Sequence, residues 1–269
     1  MTVLDVGQGD SIFVPFPDGH TLLIDGGGLP GDERVGGYRA GTDVGEEVVS
    51  AYLWQRGLKR LDVVALTHAH HDHIEGLFAV LDNFRAGQLW VGRDVGSRAY
   101  EELIAESRAR AIPIVHRRQG DKFEWGGVRG SVLWPADLST SPSASNDDSL
   151  VLRLEDGAIR FLLPGDIKKK VEAELVAQGV PLAADFLKVP HHGSRTSSTG
   201  DFLAAVAPRA AVISVGENNS FGHPNQQVVE RYAEDGVLLL RTNRDGAVTA
   251  STDSRSLTIH GYAEAHPPR

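Results

Sequence analysis

The sequence predicts an α/β fold with mixed sheets, on two observations. Short apolar runs alternate with helical spacings: Leu61–Leu66 (LDVVAL) reads as a buried strand, and Ile74–Phe84 has the apolar spacing of a helix. The side chains able to carry chemistry gather where that strand hands over to that helix, which is where α/β sheets keep their ligands. This junction holds His68, His70, His71, Asp72 and His73, so four of the chain's 11 histidines fall within six positions. His68 and His70, two apart in extended backbone, point to one side, and Asp72 with His73 lies on the turn that starts the helix, so two donor pairs face one cavity. Imidazole plus carboxylate is a ligand set for zinc, manganese or iron. Two such ions about 3.5–4 Å apart polarise a phosphoryl or carbonyl group and generate hydroxide at neutral pH. A lone histidine is more often a surface or satisfied core residue, but composition does not explain so dense a cluster. His71 should point away from its neighbours' face and is read as structural or as supporting another ligand.

The totals bound the rest. With 41% apolar and 23% charged residues, 269 residues can bury a full core, and no composition break or internal repeat divides them; residues 1–269 are read as one domain. No apolar run approaches the ~20 residues of a membrane span and no signal peptide opens the chain, so it reads as soluble. The absence of cysteine excludes disulfides and thiolate ligands and suits an oxidising compartment. A net charge of −9 gives no general attraction to nucleic acid, so binding a polyanion needs a local basic patch or the metals themselves.

Taken in order, the chain opens in a strand within 1–15, turns at Pro17-Asp18-Gly19, and continues in Thr21–Ile24, which ends in Asp25-Gly26-Gly27-Gly28. Asp25 is read as hydrogen-bonding the metal-bound histidines, with the glycines leaving room beside the metals. Residues 28–41 form a Gly-rich loop near the cleft, and a helix capped by Thr42 or Asp43 runs to about Gln55. After the histidine cluster come a strand at Gln88–Val91, a helix at Ser97–Arg110, a strand at Ile112–Val115 and a strand pair within Phe123–Leu133. The Pro- and Ser-rich loop 135–145 leads to Asn146-Asp147-Asp148-Ser149 and then to two strands, Leu150–Leu154 and Ile159–Leu163. Pro164-Gly165-Asp166 closes the second of these. The next helix begins Ile167-Lys168-Lys169-Lys170, three cations at the positive end of a helix dipole. They are either a solvated face compensated by Glu172 and Glu174 or a patch for a phosphate backbone. Phe186–Val189 ends in Pro190-His191-His192-Gly193-Ser194, where two histidines suit one ligand and one acid or substrate contact, with Ser194 and backbone N–H groups facing an anion. Ala210–Val215 leads to Phe221-Gly222-His223-Pro224. Pro224 fits the first helical position, which puts His223 at a helix N-terminus, where the dipole lowers its pKa and lets a neutral ring donate to an oxyanion. Val237–Arg241, Ala247–Ala250 and Ser256–Ile259 are read as an antiparallel edge.

His-x-His-x-Asp-His after a buried strand resembles the metallo-β-lactamase superfamily. Its fold is a four-layer αββα sandwich with the metals at one edge. Asp25 matches the superfamily's first motif, and Asp166 matches its metal-bridging carboxylate. The opening Asp5-Val6-Gly7-Gln8-Gly9-Asp10 looks like the metallo-hydrolase domain of ComEC-type DNA-internalisation competence proteins. The superfamily's third histidine is absent, and Asn146-Asp147-Asp148-Ser149 resembles the substitute motif of that group. One metal should then have fewer nitrogen and more oxygen ligands, which favours Mn²⁺ over Zn²⁺.

The resemblance therefore implies two divalent ions. His68 and His70 bind one, Asp72, His73 and His191 the other, and Asp166 bridges. His191 and His192 are exchangeable in this scheme. Asp72, His192 and His223 serve catalysis, while Asn146, Asp147, Ser149, Ser194 and the three lysines support the metals or the substrate. It further implies a phosphodiesterase, a nuclease acting on single-stranded or duplex DNA in uptake. The chain would be excised from a polytopic membrane protein, partnered by its transmembrane channel and placed at the extracytoplasmic face of the membrane; a standalone relative would be a monomer. The rival readings are a small-substrate esterase of the phosphocholine-esterase kind and a metal-stabilised DNA-binding module without turnover. A lactamase is disfavoured by the missing histidine.

Overall fold

A computed structural model describes residues 1–28, 43–217 and 219–265. Two mixed sheets face each other. The first has the order β15-β14-β1-β2-β3-β4-β5-β6. Its strands are β1 (Thr2–Val3), β2 (Ile12–Pro15), β3 (Thr21–Ile24), β4 (Arg60–Ala65), β5 (Arg85–Val91), β6 (Ile114–His116), β14 (Val248–Thr252) and β15 (Leu257–Gly261). The second has the order β13-β12-β11-β10-β9-β8-β7, from β7 (Lys122–Trp125), β8 (Val128–Trp134), β9 (Val151–Asp156), β10 (Ile159–Leu163), β11 (Phe186–Lys188), β12 (Ala210–Ile213) and β13 (Leu238–Arg241). In each sheet one half is parallel, β3 to β6 and β10 to β13, and the other half antiparallel.

The period of two along each strand sorts its side chains between layers. From β4, Val63 and Ala65 enter the core between the sheets, where they meet Leu152, Phe161 and Val212, while Val64 and Leu66 face outward. Helix α1 (Ala51–Gln55) precedes β4 in the chain and α2 (His71–Asn83) and α3 (Arg98–Ala109) come after it, and their buried residues Leu53, Leu77 and Leu103 share a core with Val64. On the far side, Leu162, Ala211 and Ile213 of the second sheet join residues of α4 (Lys169–Ala177), α5 (Gly200–Val206) and α6 (Gln226–Glu234). Three cores separate four layers, αββα.

Several elements depart from the sequence expectations. The strands near the C-terminus do not form one antiparallel edge: β13 pairs parallel to β12 in the second sheet, whereas β14 and β15 extend the first sheet through β1. The helix after Asp166 starts at Lys169, with Lys168 as its N-cap. Helix α6 is capped by the Asn225 side chain, so His223 stands ahead of the helix rather than at its first turn. The Gly-rich loop and the Thr42 cap lie outside the described residues, while Asp43 accepts the Glu46 N–H at 3.2 Å. Among the described residues no helix is long and apolar enough to cross a membrane.

Candidate metal centre

The parallel halves of both sheets end at one rim, so the loops after β3, β4, β10, β11 and β12 converge, as expected for strand ends in open α/β sheets. They deliver Asp25, His68 with His70, Asp166, His192 and Ser214. Helix α2 contributes Asp72 and His73 from its first turn. Glycine permits the close fit: a Cβ on Gly26 would collide with the backbone of Gly76 in α2, and one on Gly9 with the Asp72 carbonyl. The Gly26-Gly27-Gly28 run therefore makes room for a helix and its neighbours, not for ions.

Asp72, His73, Asp166 and His192 offer ligand atoms that all lie within 4.8 Å of one another. His73 points Nδ1 at Asp25 Oδ2, 2.8 Å away, and Nε2 at Asp166 Oδ2, 3.3 Å away. Asp25 is itself fixed, accepting the Thr67 N–H at 2.7 Å and the Thr67 hydroxyl at 2.6 Å. His192 donates from Nδ1 to the Ser214 carbonyl at 2.8 Å, which leaves Nε2 facing Asp166 Oδ2 at 3.0 Å and Asp72 Oδ2 at 3.4 Å. Both rings thus use one nitrogen for a rear hydrogen bond and aim the other inward, the usual arrangement of metal-ligating histidines.

Beside this group, His68 Nε2 and His70 Nδ1 are 3.1 Å apart. That spacing suits two nitrogens sharing one ion at about 2.0–2.1 Å from each. His68 Nδ1 lies 3.1 Å from the Thr67 hydroxyl and 3.4 Å from the Ser149 hydroxyl. Ser149 also accepts the Asp166 N–H at 3.0 Å and so fixes that loop. Asn146 Oδ1 and His223 Nδ1 are buried without hydrogen-bond partners, whereas buried polar atoms are nearly always satisfied. The donor set and its unpaired atoms fit divalent ions.

Of the two adjacent histidines, exchangeable in the sequence expectation, the structure turns His192 toward the cluster. Both adopt left-handed backbone, with φ of 51° at His191 and 53° at His192, and this tight turn carries His192 inward. His191 instead receives the Asn146 amide on Nε2 at 2.8 Å and lies beside the Thr196 hydroxyl at 3.2 Å. His71 is exposed and pairs with Glu75 at 3.0 Å, outside the cluster. Asp147 accepts the Lys168 N–H at 3.0 Å and so caps α4 rather than facing the cluster. Ser194 hydrogen-bonds Thr196 at 3.0 Å and also stays outside it. Of the three lysines, Lys169 and Lys170 are exposed and Lys168 half-buried. Glu172 does not compensate them, because its carboxylate turns inward and accepts the N–H groups of Ser198 and Thr199 at 2.6 and 2.9 Å.

Two site residues were not legible as such. Lys188, the last residue of β11, is fully buried, and its ammonium pairs with Asp10, with Asp166 Oδ1 at 3.2 Å and with the Gly165 carbonyl at 3.3 Å. Burial alone would depress its pKa, but the two carboxylates raise it above the ordinary value. Asp10, also buried, has Oδ1 3.6 Å from His192 Nδ1.

Burial opposes charging the histidines, yet the neighbouring carboxylates prevail at two of them. Asp166 and Asp25 raise His73 well above its ordinary pKa, and Asp166 and Asp10 raise His192 to about 10. At His68 and His70 burial dominates and lowers the pKa. Burial holds His191 at about 4, and burial with the His192 charge depresses His223. Desolvation and a neighbouring cation, not the helix dipole expected from the sequence, produce the His223 shift.

A pH dependence follows for the metal-free protein. A group whose folded pKa is raised stabilises the fold fully below its unfolded value of about 6.5, and this contribution is lost as pH rises through the folded value. Thermal melts of metal-free protein should therefore show His192's contribution shrinking between about pH 6.5 and 10. Because ligation needs the neutral rings, binding of a divalent ion at pH 7 should release protons, detectable by calorimetry in buffers of different ionisation enthalpy. Proton-neutral binding would contradict the charged state assigned to His73 and His192.

The cluster opens into a cavity of about 510 Å³ lined by Gln8, Asn146, His191, Phe221 and His223 among others. A larger cavity of about 820 Å³ lies elsewhere, beside Trp54 and Phe84, and the charged Asp82 and Arg110 there pair with each other.

Residues 4–217 match the Metallo-beta-lactamase superfamily. The chain is 32% identical over 268 residues to ComE operon protein 3 of Bacillus subtilis, an alignment covering 97% of this chain and 34% of that protein. It is likewise 32% identical over 249 residues to Competence protein ComA of Neisseria gonorrhoeae, covering 92% and 31%. The chain thus spans about a third of the length of these relatives. Among solved structures, CmlA, a diiron beta-hydroxylase from Streptomyces venezuelae, superposes with a TM-score of 0.54 at 15% identity, over 89% of this chain and 52% of CmlA. The metallo-beta-lactamase fold protein YhfI from Bacillus subtilis does so with a TM-score of 0.51 at 12% identity, over 89% and 95%. At these identities the likeness is one of fold.

Proposed function

This chain belongs to the metallo-β-lactamase superfamily, and from that premise we propose that it is a metal-dependent phosphodiesterase that cleaves DNA. The observation that carries the reading is the convergence of Asp72, His73, Asp166 and His192 on one point, with both rings aimed by rear hydrogen bonds. His68 and His70, with the unpaired Asn146 Oδ1 lining the same cavity, offer the ligands of a second ion. When bound, the ions supply Lewis-acid polarisation of the phosphoryl group and hydroxide at neutral pH.

The chain's own groups do the rest. Asp25 and the Ser214 carbonyl fix the ring tautomers of His73 and His192. His191 and His223 stay neutral and line the cavity. The His191 ring is held by the Asn146 amide and the Thr196 hydroxyl, so His223, whose Nδ1 has no hydrogen-bond partner, is the ring that donates to a phosphoryl or leaving oxygen. His192, with Nδ1 already committed, is assigned to the metal rather than to proton transfer. Asn146 in place of a third histidine favours Mn²⁺ over Zn²⁺.

The DNA reading draws on the likeness to competence proteins and on Lys169 and Lys170, exposed on the first turn of the helix that follows Asp166. In this reading the chain is the hydrolase part of a longer competence protein. The channel portion of that protein is its partner, and its face is extracytoplasmic.

The test is protein stripped of metal and reconstituted with Mn²⁺ or Zn²⁺, then assayed on bis(p-nitrophenyl) phosphate and on single-stranded and duplex DNA. Cleavage of both substrate classes, faster with Mn²⁺, is expected. Equal or faster turnover with Zn²⁺ would remove Asn146 from the ligand scheme. Turnover of the small diester alone assigns a small-substrate esterase, and turnover of neither assigns a metal-stabilised binding module.

A further inference from the structure

Phe221 is 54% exposed at the mouth of the cavity, and its ring has a defined seat. It stacks on His223 with centroids 5.8 Å apart and planes 22° apart, and His223 stacks on His192 at 6.3 Å and 26°. A column of three rings thus runs from the metal-ligand cluster to the surface. The turn that carries Phe221 is closed by Asn219, whose Nδ2 donates to the Gly216 carbonyl at 3.0 Å and the His223 carbonyl at 2.6 Å, while Oδ1 accepts the His223 N–H at 3.0 Å. The aromatic face is therefore presented by a hydrogen-bonded turn and a stacked ring rather than by a free side chain. It lines the same cavity as Asp166 and His192, the residues that would hold a scissile phosphate in place through the ions.

A flat apolar ring beside a phosphate-binding point matches one ligand feature, the face of an unpaired nucleobase. Stacking of this kind tolerates any base, since every base has a π-face, and it is unavailable to a base already stacked on both sides within a duplex. We propose that Phe221 is a stacking platform for the unpaired base next to the phosphate under attack, so that the enzyme prefers single strands and frayed ends to intact duplex. This rests on the nucleic-acid reading above and deepens it.

The experiment compares wild type, Phe221→Ala and Phe221→Trp on a single-stranded oligonucleotide and on the same oligonucleotide carrying abasic positions, with kcat/KM as one readout. Quenching of a 2-aminopurine base by metal-free protein in EDTA, where nothing is cleaved, is the other. Wild type should prefer the intact strand, Phe221→Ala should lose about 5- to 150-fold on it and little on the abasic strand, and Phe221→Trp should recover the difference and the quenching. An equal loss on both strands would show that Phe221 only buttresses His223 and would overturn the platform. Wild type that hydrolyses a small diester but neither binds nor cleaves any oligonucleotide would end the nucleic-acid reading, and the platform with it.

Discussion

Replacing Asp166 with Ala is expected to remove at least one divalent ion per chain and to lower phosphodiester hydrolysis by more than the roughly 10–100-fold that loss of a ligand's outer partner costs. One Asp166 oxygen faces both His73 Nε2 and His192 Nε2, at 3.3 and 3.0 Å, and the other faces Lys188 at 3.2 Å. A carboxylate so placed offsets the repulsion between two cations while its rear oxygen is held by a fixed ammonium. Asp72 approaches His73 and His192 from the same side, at 3.9 and 3.4 Å, but Lys188 is not among its partners. Asp166→Asn keeps the shape and removes the charge, so it should also lose metal, which separates electrostatics from packing. Metal content by elemental analysis after purification without chelator is the measurement. Full two-ion occupancy in Asp166→Ala would overturn the ligand scheme.

The parts of the site that could be read from sequence are those where ligand-type side chains interrupt an apolar strand end. His68, His70, Asp72, His73 and Asp166 each follow such a run, and the β4-to-α2 handover is where it was expected. Which of His191 and His192 turns inward stays open in the sequence, because it depends on two successive positive φ angles in a pair of identical residues. Ser214, which acts through its backbone carbonyl, is not readable either. Lys188 did leave a trace. Phe186 faces the core between the sheets, and a period of two sends residue 188 to that side. A lysine there must be buried with anionic partners, yet a lone lysine near a strand end looks like surface. The sequence alone points the triple glycine at metal space, because its true neighbour, Gly76, lies about fifty residues on and shows only in the packed helix. Strand partners near the C-terminus are illegible for a related reason: pairing of β14 with β1 joins segments from opposite ends of the chain, and no local pattern encodes it.

Lys188→Met should destabilise the metal-free protein by about 3–5 kcal/mol, the usual cost of stripping one partner from a buried ion pair. The methionine nearly matches the lysine stem in volume, so little of the loss comes from a cavity. What remains are Asp10 and Asp166, both buried, without the ammonium that pairs with both; His192, 3.6 Å from Asp10 and 3.0 Å from Asp166, is a cation left against the two. At roughly 2–4 °C per kcal/mol for chains of this order, the melting temperature should fall by about 6–20 °C. Two further measurements show whether charge is the cause. Removing a second charge in Asp10→Asn/Lys188→Met should recover part of the loss, because an apolar or neutral replacement of a whole buried pair costs far less than half of one. A saturating divalent ion should also narrow the gap between variant and wild type, since a cation against Asp166 replaces part of what the ammonium supplied. A metal-free Lys188→Met protein that melts with wild type would mean that the two aspartates are satisfied by other groups and that Lys188 is no counter-ion for them.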